Sequence, residues 1–196
     1  TMAFSPDRRL VYYSNNIVRK RKLVNDPEGT NNFQITRGTI EDGKLVKPEK
    51  LFFNSKDYSV GHPALSPDGK WLFFASDMPG GYGESDLYVS QVADDGTIGT
   101  PKNLGPTINT VGNDMFPSFA NGMLYFSSDG HFGWGGLDIY ESKFYGDMKF
   151  SEPRNLGAPV NSNKDDFAYI IDATDGYGYF SSNRSCLLYT SDAADE

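Results

Sequence analysis

The sequence predicts an all-β fold, a partial β-propeller built from four-stranded antiparallel blades. The first observation is a repeat with an offset of 52 residues: 72–77 return as 124–129, 86–88 as 138–140, and 101–105 as 153–157. The second observation is that these runs are short, rich in aromatic and β-branched residues, and bounded by Gly, Asp, Asn or Pro. This period and composition are typical of propeller blades rather than of helical repeats.

The second copy of the repeat, residues 58–110, contains the elements of one complete blade. Pro67-Asp68-Gly69 predicts a tight turn between two strands, because Pro sets φ, Asp bonds the local backbone and Gly accepts a left-handed conformation. A glycine-rich stretch at 79–83 leads to a third strand at 86–92, and a weak fourth strand is expected near 102–104. Four strands in about 52 residues make one antiparallel blade.

The other copies predict two further blades and part of a fourth, with boundaries at about 1–57, 111–163 and 164–185. The first copy departs from the pattern, since it has Asn32-Phe33-Gln34-Ile35 where Asp-Leu-Tyr or Asp-Ile-Tyr is expected. It also carries an insertion of eight residues between Asn16 and Phe33. At this period the chain supplies about 3.5 blades, so we expect an incomplete ring.

Residues 186–196 abandon the repeat in the middle of a motif. They look like translated read-through of a sequencing adapter, so we treat them as a non-native tail and exclude them from the fold prediction. The single cysteine, Cys186, lies in this tail. We therefore expect neither disulfides nor thiolate metal sites in the propeller.

The composition is acidic, with a formal net charge of −8 and a pI near 4.7. This balance argues against general nucleic-acid binding, which needs clustered Lys and Arg. No apolar stretch approaches 18 residues, so no membrane-spanning segment is predicted. The one basic run, Arg19-Lys20-Arg21-Lys22, lies in the insertion. It could contact an acidic partner or a lipid headgroup, although such runs are more often solvated loops.

Strand direction predicts that the candidate binding residues gather on one face of the propeller. These residues are His62, Tyr82, Asp114, His131 and Trp134. Exposed aromatic residues in glycine loops could stack a sugar or grip a peptide, since binding residues are common on loops of a rigid scaffold. The alternative use of a Gly-aromatic-Gly stretch, and the commoner one, is turn geometry and blade packing.

A second set of repeated polar residues is assigned a structural role. Short carboxylates favour hydrogen bonds with backbone N–H groups in turns. The aspartates expected to do this are Asp68, Asp77, Asp86, Asp129 and Asp138.

The sequence contains no assembled catalytic set, so we expect no enzyme activity and no cofactor. Gly83-Glu84-Ser85-Asp86-Leu87 lacks the last glycine of a nucleophile elbow and precedes a strand. The two histidines lack metal-binding spacing, so no metal site is predicted. A glycosidase would need two carboxylates about 5 to 10 Å apart, for which Asp114 and Asp129 are conceivable.

Several motifs resemble those of known propellers. Ser5-Pro6-Asp7 and residues 66–70, each followed by an aromatic strand, resemble the TolB-like, WD-repeat-like propeller of the Pro-Asp type. Residues 103–109, 114–117, 125–131 and 135–140 resemble, more narrowly, the propeller of Bacteroidetes cell-envelope proteins that carry an OmpA-like domain.

The resemblance implies a non-catalytic protein-interaction scaffold that is periplasmic and associated with the outer membrane. Its implied partners are envelope proteins or peptides, or a glycan, and not nucleic acid. Two alternatives stay open: the gating propeller of a prolyl-oligopeptidase-like serine peptidase whose catalytic domain is missing here, and a glycan-binding propeller.

Overall fold

The computed structural model describes residues 1–172 and 176–185, and within these residues every regular element is a β-strand. The predicted non-native tail lies outside the described residues. The first four-stranded sheet and its inserted hairpin contain β1 (Met2–Phe4), β2 (Leu10–Asn16), β3 (Val18–Arg19), β4 (Lys22–Leu23), β5 (Phe33–Glu41) and β6 (Lys44–Lys50). Strands β3 and β4 pair only with each other, and the sheet order of the other four is β1-β2-β5-β6.

Two further four-stranded sheets and a two-stranded sheet follow along the chain. The second sheet contains β7 (Val60–Leu65), β8 (Trp71–Ser76), β9 (Asp86–Gln91) and β10 (Lys102–Asn103). The third contains β11 (Asp114–Ala120), β12 (Met123–Ser128), β13 (Asp138–Lys143) and β14 (Arg154–Asn155). The last contains β15 (Asp166–Ile171) and β16 (Gly178–Ser182). We refer to these sheets as blades 1 to 4.

The blades are antiparallel meanders, and the described sheets do not close into a ring. Equivalent residues pair in the same register, since Ser76 lies opposite Asp86 and Ser128 lies opposite Asp138. The repeat in the sequence is therefore a repeat of strand pairing. These features confirm the predicted all-β fold with four-stranded antiparallel blades.

The core lies between consecutive blades, where aromatic side chains from facing sheets pack together. Phe53 stacks on Phe74 with ring centroids 4.9 Å apart, and this contact joins blades 1 and 2. Phe73 stacks on Phe119 at 5.4 Å and joins blades 2 and 3. Because blade 2 packs between blades 1 and 3, its second strand is apolar on both sides, and Leu72, Phe73 and Phe74 are all fully buried.

An asparagine clamp is repeated in the first three blades. The Asn109 side chain accepts from the backbone N–H of Leu87 at 2.8 Å and donates to its carbonyl at 3.0 Å. Asn161 does the same to Ile139, and Asn54 does the same to Ile35. Each amide thus satisfies both backbone groups of a buried third-strand residue, which would be costly to leave unpaired.

The innermost strand of blades 2, 3 and 4 contains a β-bulge with a residue in the left-handed region. These residues are His62, Phe116 and Ala168, with φ between 53° and 56°. The register shifts at the same point in each strand. A non-glycine residue in this region costs roughly 1 kcal/mol, so the bulge is held by the packing of the strands around it.

Candidate functional site

The strand directions define an upper face of the propeller, on which the first strand of each blade begins, the second ends and the third begins. In blades 2 and 3 the loops on this face are residues 77–85 and 129–137, which connect the second and third strands. In blade 1 the equivalent connection is residues 17–32, which include the β3–β4 hairpin. All five predicted binding residues lie at the upper ends of their strands or in these loops.

The upper loop of blade 2 is held by a buried carboxylate. Asp86 accepts the backbone N–H groups of Tyr82 at 2.6 Å and Gly83 at 3.2 Å. Asn103 donates to the same carboxylate at 2.7 Å and also bonds Asn109, the clamp residue. The loop that presents Tyr82 is therefore tied to the buried frame of its blade.

Blade 3 repeats this arrangement around Trp134. Asp138 accepts the backbone N–H of Trp134, and Asn155 donates to Asp138. Asn155 in turn bonds Asn161, as Asn103 bonds Asn109 in blade 2. Trp134 and Tyr82 thus occupy equivalent positions. The backbone N–H of each residue donates to a buried aspartate, which fixes the loop.

Glycine is required in these loops because consecutive blades approach closely there. A Cβ on Gly83 would overlap the carbonyl oxygens of Thr110 and Gly112, at the start of the next blade. A Cβ on Gly135 would overlap the Lys164 backbone in the same way. The glycine-rich stretches thus serve blade packing, and they also bring the preceding aromatic residues to the blade junctions.

Four exposed apolar side chains lie in or beside these loops, and we refer to them together as the apolar ridge: Tyr82, Val111, Phe132 and Trp134. Tyr82 is 51% exposed, Trp134 65% and Phe132 99%. Val111 lies beside the Tyr82 loop, because a Cβ on Gly83 would come 2.7 Å from the Val111 carbonyl carbon. A group of exposed large apolar side chains on one face is typical of an interaction site. Val111 and Phe132 are outside the repeated motifs, so the sequence pattern did not single them out.

His62 occupies a different part of the upper face, at the central cleft between the innermost strands. The cleft has a volume of about 370 Å³ and is lined by β1, β7, β11 and β15. The His62 ring packs on Phe116 with centroids 4.2 Å apart. Burial lowers the pKa of His62 to about 4. His62 is consequently neutral at physiological pH.

Asp114 lies at the start of β11 and has no exposed surface. Its carboxylate accepts from the backbone N–H of Thr110 at 2.6 Å and from the Thr110 hydroxyl at 3.0 Å. Burial raises the pKa of Asp114, although the Thr110 bonds act in the opposite direction. Asp129 accepts from the backbone and the side chain of Asn113. Both carboxylates considered for a glycosidase thus hold the segment 110–113 that leads from blade 2 into blade 3.

His131 is half-buried in the same junction. Its Nε2 lies 2.8 Å from the carbonyl oxygen of Ile108, and its ring packs against Tyr140 at 5.1 Å. These contacts fix the loop that carries Trp134. Of the five predicted binding residues, the structure therefore leaves Tyr82 and Trp134 exposed, His62 at the central cleft, and Asp114 and His131 engaged inside the blade junction.

Each of the five aspartates assigned a structural role accepts a backbone N–H group. Asp68 accepts from Lys70 in the lower turn of blade 2, and Asp77 accepts from Ser59. Asp86, Asp129 and Asp138 bind the loop amides described above. Within residues 1–172 and 176–185, no group of three or more His, Cys, Asp or Glu side chains is arranged to hold a metal ion.

No family model and no curated protein sequence matches the chain. Solved structures of similar fold include a TolB from Agrobacterium tumefaciens, at 17% identity and a TM-score of 0.50 over 93% of this chain. They also include a prolyl endopeptidase, at 16% identity and 0.51 over 87%, and an α-L-arabinofuranosidase from Lactobacillus brevis, at 11% and 0.54 over 88%.

The chain spans 58% of the TolB chain, 23% of the prolyl endopeptidase chain and 60% of the arabinofuranosidase chain. At these identities the likeness concerns the fold alone. The chain has a TolB-like β-propeller fold, which proteins with quite different activities share. No helix long and apolar enough to cross a membrane occurs in the part of the chain that the structure describes.

Proposed function

We propose that this propeller is a non-catalytic protein-interaction scaffold that binds its partner on the upper face. The observation that carries the proposal is the exposed apolar ridge on loops that buried aspartates hold in place. Tyr82 and Trp134 bring large aromatic surface at low entropic cost, because their backbone amides are already bound to Asp86 and Asp138. Aromatic anchors of this kind dominate the binding energy of protein interfaces.

A non-catalytic role is supported by the hydrogen bonds of the two carboxylates that a glycosidase would need. Asp114 is buried against Thr110, and Asp129 is bonded to Asn113, so both already have structural partners. Neither residue lines the central cleft. A pair of carboxylates that hydrolyses a glycosidic bond must instead face one substrate pocket.

We place this scaffold in the cell envelope, in the periplasm and associated with the outer membrane. The support is the TolB-like fold together with the motif resemblance to envelope propellers that carry an OmpA-like domain, which includes residues 103–109 and 135–140. Envelope proteins, envelope peptides or peptidoglycan fragments are accordingly the ligands to test first. The gating propeller of a serine peptidase is the alternative, since a prolyl endopeptidase also contains this fold.

The two tryptophans allow a direct binding test. Trp71→Phe leaves Trp134 as the single tryptophan, because the chain has only two. Envelope peptides and peptidoglycan fragments are titrated into this variant while Trp134 emission is followed, and the affinity of each hit is measured by calorimetry. We expect a partner peptide to shift the emission and Tyr82→Ala to weaken its binding roughly tenfold or more.

Tyr145→Ala is the matched control, since Tyr145 is an exposed tyrosine on the lower face of blade 3. It should leave the affinity unchanged. Equal losses in Tyr82→Ala and Tyr145→Ala, or binding that neither Tyr82→Ala nor Trp134→Ala weakens, would refute the upper face as the binding surface. Binding of peptidoglycan fragments alone would favour the glycan-binding alternative.

A further inference from the structure

The upper face carries a second exposed feature, the β3–β4 hairpin of blade 1. Its four consecutive cations, Arg19, Lys20, Arg21 and Lys22, are all exposed. None of them forms an ion pair within the residues that the structure describes. A local charge of +4 therefore projects from a chain whose formal net charge is −8.

The hairpin has a fixed base. The Asn31 side chain donates to the carbonyl of Ile17 at 3.1 Å and to that of Val24 at 2.7 Å, which ties the two ends of the projection together. The following turn is closed by Asp26, which accepts the backbone N–H groups of Glu28 and Thr30. The fold thus holds the cations in one place on the upper face.

The tip of the hairpin keeps two long cations where glycine would be the unstrained choice. Lys20 and Arg21 have φ values of 50° and 64°, as the central residues of a two-residue type I′ turn do. This turn favours Asn-Gly, because both positions require the left-handed region. The tip thus holds two cations in a backbone conformation that is strained for both residues.

One side of the hairpin carries apolar side chains and the other carries cations. Val18 lies opposite Leu23 and Arg19 lies opposite Lys22, so successive pairs point to opposite sides of the ribbon. Val18 is 47% exposed and Leu23 62%. Because neither strand pairs with another sheet, the outer edges of the ribbon are open to an added strand. The ribbon therefore offers cations, apolar side chains and strand edges to one extended segment.

The charges around the hairpin favour a short acidic segment over an extended polyanion. Asp26, Glu28 and Asp57 line a small cleft beside the hairpin base. Asp77 and Glu84 line the neighbouring groove on the same face. A membrane surface or a nucleic acid would bring its negative charge onto these carboxylates as well as onto the hairpin, whereas a short segment can contact the hairpin alone.

We propose that the β3–β4 hairpin docks an acidic, extended segment of the partner protein. This inference rests on the proposed function, because it names the chemistry of a partner that binds the upper face. The acidic side chains pair with the cations at 19–22, and the apolar side chains alternate with them to contact Val18 and Leu23. The hairpin then selects the partner by charge, and the apolar ridge supplies contact area.

The test uses a fluorescein-labelled peptide of alternating Glu and Val, followed by fluorescence anisotropy, with the full chain and the double variant Lys20→Asn/Arg21→Gly. The variant removes two charges but installs the preferred type I′ pair, so the hairpin keeps its fold. We expect the peptide to bind the full chain, more weakly at higher salt, and the variant to lose roughly tenfold in affinity.

The matched control is Arg8→Gly/Arg9→Gln in the lower turn of the same blade. It also removes two exposed charges and also replaces a residue of positive φ, since Arg8 has φ 56°. It should bind the peptide as the parent chain does. Equal losses in the two double variants would overturn the proposal, because the effect would then come from net charge.

Other probes separate the remaining outcomes. A Gln-Val peptide of the same length should not bind measurably. Failure of the Glu-Val peptide to bind the full chain, or stronger binding of phosphatidylglycerol vesicles or single-stranded DNA that Lys20→Asn/Arg21→Gly abolishes, overturns the acidic-segment proposal. If a partner peptide is lost by Tyr82→Ala but not by Lys20→Asn/Arg21→Gly, the proposed function survives and the hairpin proposal fails.

Discussion

The upper loops of blades 2 and 3 are built differently from the upper connection of blade 1, although the strands beneath them are equivalent. In blades 2 and 3 a buried aspartate, Asp86 or Asp138, fastens a short glycine loop. In blade 1 Gln34 occupies the equivalent position, and the connection is the basic hairpin. The asparagine clamp is common to all three blades. The clamp thus belongs to the blade frame, whereas the aspartate belongs to one kind of loop.

The largest expected effect tests the clamp itself. Asn109→Ala leaves the buried N–H of Leu87 without its partner, removes one of the two hydrogen bonds to the Leu87 carbonyl, which still accepts from Leu104, and also removes the bond to Asn103. We expect a loss of about 3 kcal/mol in the free energy of unfolding. Asn54→Ala should cost about 1 kcal/mol less, because the described Asn54 side-chain bonds are those to Ile35 alone. Urea denaturation measures both, and a loss below about 1 kcal/mol in Asn109→Ala would contradict the clamp.

The next prediction concerns the glycine loops. Gly83→Ala places a methyl group against the carbonyls of Thr110 and Gly112, so we expect a destabilisation of about 2 kcal/mol from the forced shift of the blade junction. Gly99→Ala is the control, since its Cβ would meet only ordinary contacts at 3.5 Å or beyond. Thermal unfolding compares the two. Similar stabilities for both variants would show that the blades do not approach closely at Gly83.

The sequence predicts the frame better than it predicts the exposed surface. The 52-residue repeat carries the strands, the turns and the positions of Asp86 and Asp138, because each blade must satisfy the same backbone groups and fill the same space. Val111 and Phe132 escape the pattern because exposed loop residues need not recur. The burial of Asp114 also escapes it, since strand direction places Asp114 on the upper face but does not fix its depth.

A smaller effect is the pH dependence of stability, which should differ between the equivalent residues Asp114 and Asp166. Burial would raise the pKa of Asp166, but hydrogen bonds from Arg184, Ser182 and Ser162 lower it overall, whereas burial raises the pKa of Asp114. The stability that ionised Asp166 contributes is present above its unfolded pKa and is lost as the pH falls through its folded pKa. For Asp114 the sign is opposite, because ionisation costs stability as the pH rises through its folded pKa.

We therefore expect Asp166→Asn to cost about 1 to 2 kcal/mol at pH 7 and less in acid. Asp114→Asn should become more favourable, relative to the parent chain, as the pH rises. Urea denaturation of the parent and both variants between about pH 3 and pH 7 measures the two slopes. The two slopes are those of the stability difference between variant and parent chain against pH. If they had the same sign, Arg184 would not lower the pKa of Asp166 relative to that of Asp114.

The smallest effect belongs to the hairpin of blade 1. Lys20→Asn/Arg21→Gly should stabilise the chain by about 0.5 to 1 kcal/mol, since it relieves two left-handed residues. Differential scanning calorimetry measures the change. A destabilised variant would indicate that the cations contribute contacts to the fold, which would weaken their assignment to partner binding.

The central claim is that the blade frame fixes the aromatic loops of the upper face while the tip of the basic hairpin stays accessible. Amide hydrogen exchange measured by NMR tests it most directly, residue by residue. We predict slow exchange at Tyr82 and Trp134, because each amide donates to a buried aspartate, and fast exchange at Lys20 and Arg21. Exchange at Tyr82 and Trp134 as fast as at the hairpin tip would contradict the account.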